Sequence, residues 1–256
     1  MCLLVVAFGV DSNYPLIVAG NRDEFHARPS AEAGWWPDDP DILGGRDLQA
    51  GGTWLALHRR GRFSAVTNYY DAQPRNTELR SRGHLVTDFL HSTLEPLAYL
   101  STIDGALYAG FNLLVSDGRS LAYCSNRGVA PTQLSAGIFG LSNATLDTPW
   151  SKVERIKQRL RGLIETTAVS ATGLLDLLGD RTRGPAEEAD SDRLPFPKAH
   201  AITAPFIVLP DYGTRCSTVV RADSRGHWEL LERRFAASGE PTGESRYLID
   251  SRVHRE

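Results

Sequence analysis

Two apolar runs open the chain. Residues 3–8, Leu-Leu-Val-Val-Ala-Phe, carry no polar side chain and predict a strand buried on both faces. Asp11-Ser12-Asn13-Tyr14-Pro15 follows as a turn, because Asn and Asp tolerate left-handed backbone and Pro fixes φ. Residues 16–20 are a second run that ends in the charged tetrad Asn21-Arg22-Asp23-Glu24. The pattern predicts a hairpin, and antiparallel pairing carries the tetrad back beside Cys2.

Further along, the pattern alternates between breakers and short runs. Residues 26–41, with Pro29, Pro37, Pro40 and the pair Trp35-Trp36, predict a loop whose tryptophans pack on a sheet edge or line a pocket mouth. Gly44-Gly45 and Gly51-Gly52 predict tight turns or close approach of the backbone to something bound. Residues 53–57 and 63–68 flank a basic turn and predict a second hairpin, and residues 111–115 and 120–124 a third around Ser116-Asp117-Gly118-Arg119. Residues 84–94 place Leu85, Phe89 and Leu90 on one helical face, with a short helix expected over 96–100. Residues 137–141 read as a glycine-bounded strand. A long helix follows, with Thr148 as N-cap, Pro149 at its first position, and Trp150, Val153, Ile156, Leu160, Leu163 and Ile164 at helical spacing.

Residues 174–178 predict another helix, and the charged, breaker-rich stretch 180–193 a mobile loop or lid. Residues 204–209, 216–220 and 227–231 return to strand pattern. Strands that come as hairpins predict stacked antiparallel sheets inside helical layers, an α+β fold. With no internal repeat or low-complexity tract, residues 1–256 are expected to form one domain.

Composition narrows the function classes. Lys and Arg number 28 against 31 Asp and Glu, a net charge of −3, which argues against nucleic acid as a main partner. No uncharged apolar run reaches the length of a membrane span, and no basic region precedes the first run, so a cytoplasmic location without a signal peptide is expected. The three cysteines, Cys2, Cys124 and Cys216, have neither Cys-x-x-Cys nor His-paired metal spacing, so no metal, cofactor or disulfide framework is expected. Cys124 and Cys216 sit in strand-like runs and read as core. No phosphate-loop or dinucleotide fingerprint completes the glycine pairs, which excludes nucleotide binding.

The candidate chemistry lies at the amino end. Removal of Met1 would leave Cys2 with a free α-amine and a thiol on one residue, and the amine can take the thiol proton near neutral pH. By itself a lone cysteine is usually a small buried hydrophobe, and Arg-Asp-Glu after a strand is usually a solvated turn. Their meeting at opposite ends of one hairpin favours function: Arg22 would lower the thiol pKa and a carboxylate would orient the amine. Asn68, at the end of its outgoing strand, can donate to a developing oxyanion or can be an ordinary turn residue. Asn143, on a strand-to-helix connection, and Arg215, at a strand start, each admit a site role and a plain surface role.

Cys2 with Asn21-Arg22-Asp23-Glu24-Phe25 and Arg28-Pro29 resembles the NRDE family, the transport and Golgi organisation 2-like proteins. Gly51-Gly52-Thr53-Trp54, Thr67-Asn68-Tyr69, Gly110-Phe111-Asn112-Leu113-Leu114, Leu141-Ser142-Asn143 and Thr148-Pro149-Trp150 extend the resemblance end to end. It implies a four-layer αββα N-terminal nucleophile hydrolase of the choloylglycine hydrolase and penicillin acylase type, cleaving a non-peptide amide or related acyl bond through a Cys2 thioester. On this reading Cys2, Arg22, Asp23 and Asn68 are catalytic, while Asn21, Glu24, Asn143 and Arg215 bind substrate. Choloylglycine hydrolases resemble this stretch with an Arg and an Asp three residues apart, whereas here Asn21 and Glu24 hold that spacing. The resemblance also implies an alternative, a non-catalytic carrier of lipid or haem whose pocket would use Trp35, Trp36 and Trp54. A redox-sensing Cys2 thiol is a third reading.

Overall fold

The structure, a computed structural model, describes residues 2–70, 79–166, 169–192 and 194–254. The expected loss of Met1, and Arg193 at the end of the expected lid, lie outside these residues.

Two antiparallel sheets stack face to face. The first half of the chain supplies β1 (Cys2–Phe8), β2 (Leu16–Phe25), β3 (Ser30–Trp36), β4 (Asp39–Asp47), β5 (Leu55–His58), β6 (Arg62–Asn68), α1 (Gly83–His91), α2 (Pro96–Leu100), β7 (Phe111–Ser116) and β8 (Leu121–Ser125). The second supplies β9 (Val129–Leu134), β10 (Gly137–Leu141), α3 (Ser151–Glu165), α4 (Ala171–Leu178), α5 (Phe196–Ala201), β11 (Tyr212–Ala222), β12 (His227–Phe235) and β13 (Pro241–Asp250). One sheet runs β10-β1-β2-β11-β12-β13 and the other runs β3 to β9 in chain order. Side-chain alternation divides the core into three. Leu4, Val6, Leu16 and Val18 face the other sheet, with Leu57, Phe63 and Leu114 opposite. Leu3, Val5, Ala7, Ile17 and Ala19 face α3 and α4. Leu85, Phe89 and Leu100 of α1 and α2 cover the far face of the second sheet. The result is the αββα layering expected, and no helix among the described residues is long and apolar enough to cross a membrane.

Four expectations change. Residues 26–41 form the β3–β4 hairpin rather than a loop. Pro37 sits in its turn, and Pro40 precedes Ile42, where pairing with β5 begins, so neither proline removes a bond from that ladder. Gly44 and Gly45 are strand residues: a Cβ on Gly45 would lie 2.3 Å from the Trp54 ring, so the close approach is to the protein itself. Residues 204–209 stay outside the sheets, with Phe206 N–H donating to the Asp180 carbonyl, and β11 takes the place beside β2. The long helix begins at Ser151, not after Thr148. Thr148 Oγ1 donates back to Thr145, and the first amide, Ser151 N–H, is capped from afar by Glu188 Oε1 at 2.9 Å. The edge strands β9 and β13 escaped the sequence pattern because they carry no buried apolar run: none of β9 is buried, and in β13 only Ile249 is.

Candidate functional site

Cys2 stands opposite Arg22 in the β1–β2 ladder, and Arg22 in turn stands opposite Cys216 of β11. The predicted hairpin thus brings the tetrad to the amino end beside Cys2. Strand alternation sends the tetrad to two faces. Cys2, Arg22 and Glu24 belong to the face toward the second sheet, and Asn21 and Asp23 to the face under the helices. Cys2 is half-buried and lines a cavity of about 10 Å³, the size of one water, with Gly20, Trp54, Thr67 and Thr218.

The Arg22 guanidinium turns toward the second sheet. It lies 4.2 Å over the Trp54 ring, donates to Ser30 Oγ at 3.4 Å, and comes within 3.9 Å of Asp47 Oδ2. Asp47 also accepts from Arg28 Nε at 2.8 Å, and Glu24 lies 3.8 Å from the same nitrogen. Asp23 Oδ1 accepts from Thr214 Oγ1 at 2.7 Å, while its carbonyl accepts from Tyr212 OH at 2.9 Å. Burial pushes the Asp23 carboxyl up to about 6, against the pull of the amino-terminal charge, the Thr214 bond, Lys152 and Arg22. Burial also raises the Cys2 thiol, and the Asp23 charge adds to this; the amino-terminal charge, the Asp23 backbone N–H and Arg22 oppose it.

The remaining predicted residues divide. Asn143 bridges two strand ends, its Nδ2 donating to the Asn68 carbonyl at 2.9 Å and its own carbonyl accepting from Tyr70 N–H at 2.8 Å. Ser142 Oγ donates to the Cys2 carbonyl at 3.2 Å, so the 142–143 connection joins the Cys2 strand to Asn68. Asn21 is committed to the scaffold: its amide donates to the carbonyls of Leu178 and Pro205, at 3.0 and 2.9 Å, and accepts from Ser217 Oγ at 2.6 Å. Arg215 sits at a bulge in β11 and donates to the carbonyls of Phe25, His26 and Arg28, which ties the β2–β3 turn. The tryptophans do not converge. Trp36 is buried under α1, Trp35 carries Arg59 at 5.0 Å, and of the three only Trp54 reaches the Cys2 cavity.

A larger cavity of about 300 Å³ is lined by Tyr69, Tyr70, Asn143, Trp150, Lys152 and Ile202, among others. One of its walls is the 180–192 segment, expected to be a mobile lid. Glu188 holds that segment to Ser151, and Gly184 N–H donates to Thr203 Oγ1 at 2.9 Å.

Several residues of the site were missed from sequence. Thr214 carries no local signal. Asn112 holds the 142–146 connection by donating to Thr67 Oγ1 and to the Ala144 carbonyl, with Tyr123 OH donating to its Oδ1 at 2.7 Å. Lys152 was legible: it lies four residues before Ile156 and eight before Leu160, on the buried stripe of α3. Among the described residues, no group of three or more His, Cys, Asp or Glu side chains is placed to hold a metal, and Cys124 and Cys216 are free and buried.

The model of the family described as Transport and Golgi organisation 2 matches residues 1–237. The Transport and Golgi organization protein 2 homolog of Bos taurus is 39% identical over 266 residues, covering 94% of this chain and 95% of its own length. The Homo sapiens homolog is 38% identical over 256 residues, covering 91% and 92%. Among solved structures, a mutant of the conjugated bile acid hydrolase from Clostridium perfringens superposes with a TM-score of 0.52 at 9% identity, over 99% of this chain and 93% of that one. The likeness is one of fold, that of the N-terminal nucleophile hydrolases.

Proposed function

The chain belongs to the Transport and Golgi organisation 2 family, and from that premise we propose that it is a cysteine N-terminal nucleophile hydrolase acting on a non-peptide amide or related acyl bond. The observation that carries the reading is the register of Cys2 against Arg22, with the buried Asp23 carboxyl next along β2 and the 300 Å³ cavity adjoining through Ser142 and Asn143. A cavity of this size, walled mostly by aromatic and aliphatic side chains, suits a small acyl group.

The steps follow from those positions. Removal of Met1 frees the Cys2 α-amine, and Asp23 orients it. The amine takes the thiol proton, and the thiolate sulfur adds to the carbonyl carbon of the substrate. Asn68 and Asn143 face the oxyanion or the substrate; Asn143 spends one amide hydrogen on the Asn68 carbonyl and keeps the other. Collapse breaks the C–N bond, and the departing amine leaves with the proton held by the α-amine. Water then cleaves the thioester to release the acid and restore the thiol.

Intact mass before and after a thiol-directed acylating probe tests this. The expected result is a mass lacking Met1, with one probe attached at Cys2 and none on a Cys2→Ala variant. Retention of Met1, or an unreactive Cys2, would overturn the reading.

A further inference from the structure

Four strands end the two sheets, and three of them carry a device that discourages further pairing. β10 is only five residues long, β9 has Pro131 in its middle, and the β3 ladder is broken by two shifts of register. β13 has none of these. Its ladder with β12 runs unbroken from Gly243 to Asp250, it contains no lysine, and its one proline, Pro241, stands at its first position. Among the described residues β12 is the only strand that pairs with it, so its other side is a free edge. Tyr247 and Ile249 pack toward the second sheet, and alternation turns Thr242, Glu244, Arg246 and Leu248 to the outer face. Leu248 is 74% exposed, and Val253, in the turn after β13, is 70% exposed; no other exposed large apolar side chain among the described residues reaches either value.

We propose that β13 pairs antiparallel with β13 of a second copy of this chain, about a two-fold axis at Ser245, so that the first sheets of the two copies become one continuous sheet. The edge is self-complementary about that residue. Glu244 stands opposite Arg246 of the second copy, and Arg246 opposite its Glu244. Within its own sheet Glu244 Oε1 accepts from Arg233 Nε at 2.6 Å, and Arg246 Nε donates to Glu229 at 2.7 Å. Sign then alternates across the seam, from Arg233 to Glu244 to Arg246 and Glu229 of the second copy. Moving the axis by one residue either way sets Glu244 against Glu244 or Arg246 against Arg246, so the charges choose the register. The same register lays Leu248 beside Thr242 of the second copy and covers part of its apolar surface. A strand of another protein would meet the same free backbone without this symmetry of charge, which is why the occupant is a second copy. The pairing does not depend on Cys2 or its chemistry.

The test is sedimentation velocity of the full chain from about 1 to about 200 μM, because a seam of one strand from each copy is small and its dimer weak. Wild type is expected to pass from monomer to dimer over that range. Glu244→Arg places like charges opposite each other on both sides of the axis, and so does Arg246→Glu. Each alone is expected to raise the dissociation constant about tenfold or more. An equimolar mixture of the two variants restores both opposite-sign pairs and is expected to dimerise like wild type. A wild type that stays monomeric, leaving the edge to another protein or to water, overturns the proposal. A dimer indifferent to both variants overturns it as well, and so does a mixture that stays monomeric. Should either variant fail to fold, Ser245→Cys decides. The axis sets the two substituted residues directly opposite, with Cα atoms about 4.5 to 5.5 Å apart, within reach of a disulfide. Mild oxidation is expected to give a covalent dimer joined from residue 245 to residue 245 by peptide mapping. No cross-link, or one through Cys2, Cys124 or Cys216 alone, overturns the pairing.

Discussion

At the scale of single residues, Asp23 combines a cost in stability with a position at the amino end. Its carboxyl rises from an ordinary 3.8 to about 6 because burial disfavours the charge. The folded protein therefore holds this proton more tightly than the unfolded chain does. Below about pH 4 both states are protonated and the group costs nothing. Between pH 4 and 6 the unfolded chain ionises first, and stability falls as pH rises; by pH 7 the loss is up to about 3 kcal/mol. Asp23→Asn, which can still accept from Thr214, is expected to match wild type in urea unfolding at pH 4 and to exceed it by about 1–3 kcal/mol at pH 7. A variant less stable than wild type at pH 7 would contradict this account. The approach of the tetrad to Cys2 was readable, since two apolar runs around a turn pair as a hairpin; the register of Cys2 against Arg22 came from the structure. The direction of the Arg22 guanidinium was not, because it depends on Trp54 and Asp47, which arrive from the other sheet. The scaffold role of Asn21 was hidden for the same reason: its partners lie 157, 184 and 196 residues away.

At the scale of elements, what was legible depended on burial. The hairpins β1–β2, β5–β6 and β7–β8 and the helices α1 and α2 have continuous or periodic apolar positions, and they appear where the pattern puts them. The β3–β4 hairpin was masked by prolines that fall in its turn and ahead of its pairing with β5. The helix α3 starts later than its sequence predicts because the Thr148 hydroxyl turns back to the Thr145 carbonyl, and the first amide is satisfied by a carboxylate 37 residues on. Glu188→Ala removes that acceptor from Ser151 N–H and Oγ. The expected loss is about 1 kcal/mol, measured as a lower urea midpoint at unchanged slope. No loss would mean that water or a neighbour caps the helix equally well.

At the scale of the whole molecule, Asn21 joins the layers. One amide binds the C-terminal end of α4, the 205 segment and β11 to the middle of the first sheet. Asn21→Ala leaves two carbonyls and a hydroxyl without that partner, and is expected to cost about 3 kcal/mol or more in urea unfolding. A loss under about 1 kcal/mol would show that the layers are held by apolar packing alone.

The place of β2, between β1 and β11, also sets a schedule. Tyr212 and Thr214, which hold Asp23, are made some two hundred residues after Cys2, and Ser217 must arrive before Asn21 is satisfied. A chain growing from the ribosome therefore carries its thiol through almost the whole of synthesis with no site around it. Pairing across so long a separation is slow to close, so the amino end stays open until late in synthesis. By the same logic, a transcript cut short before β11 yields a protein that keeps every residue of the amino-terminal tetrad and has no site at all.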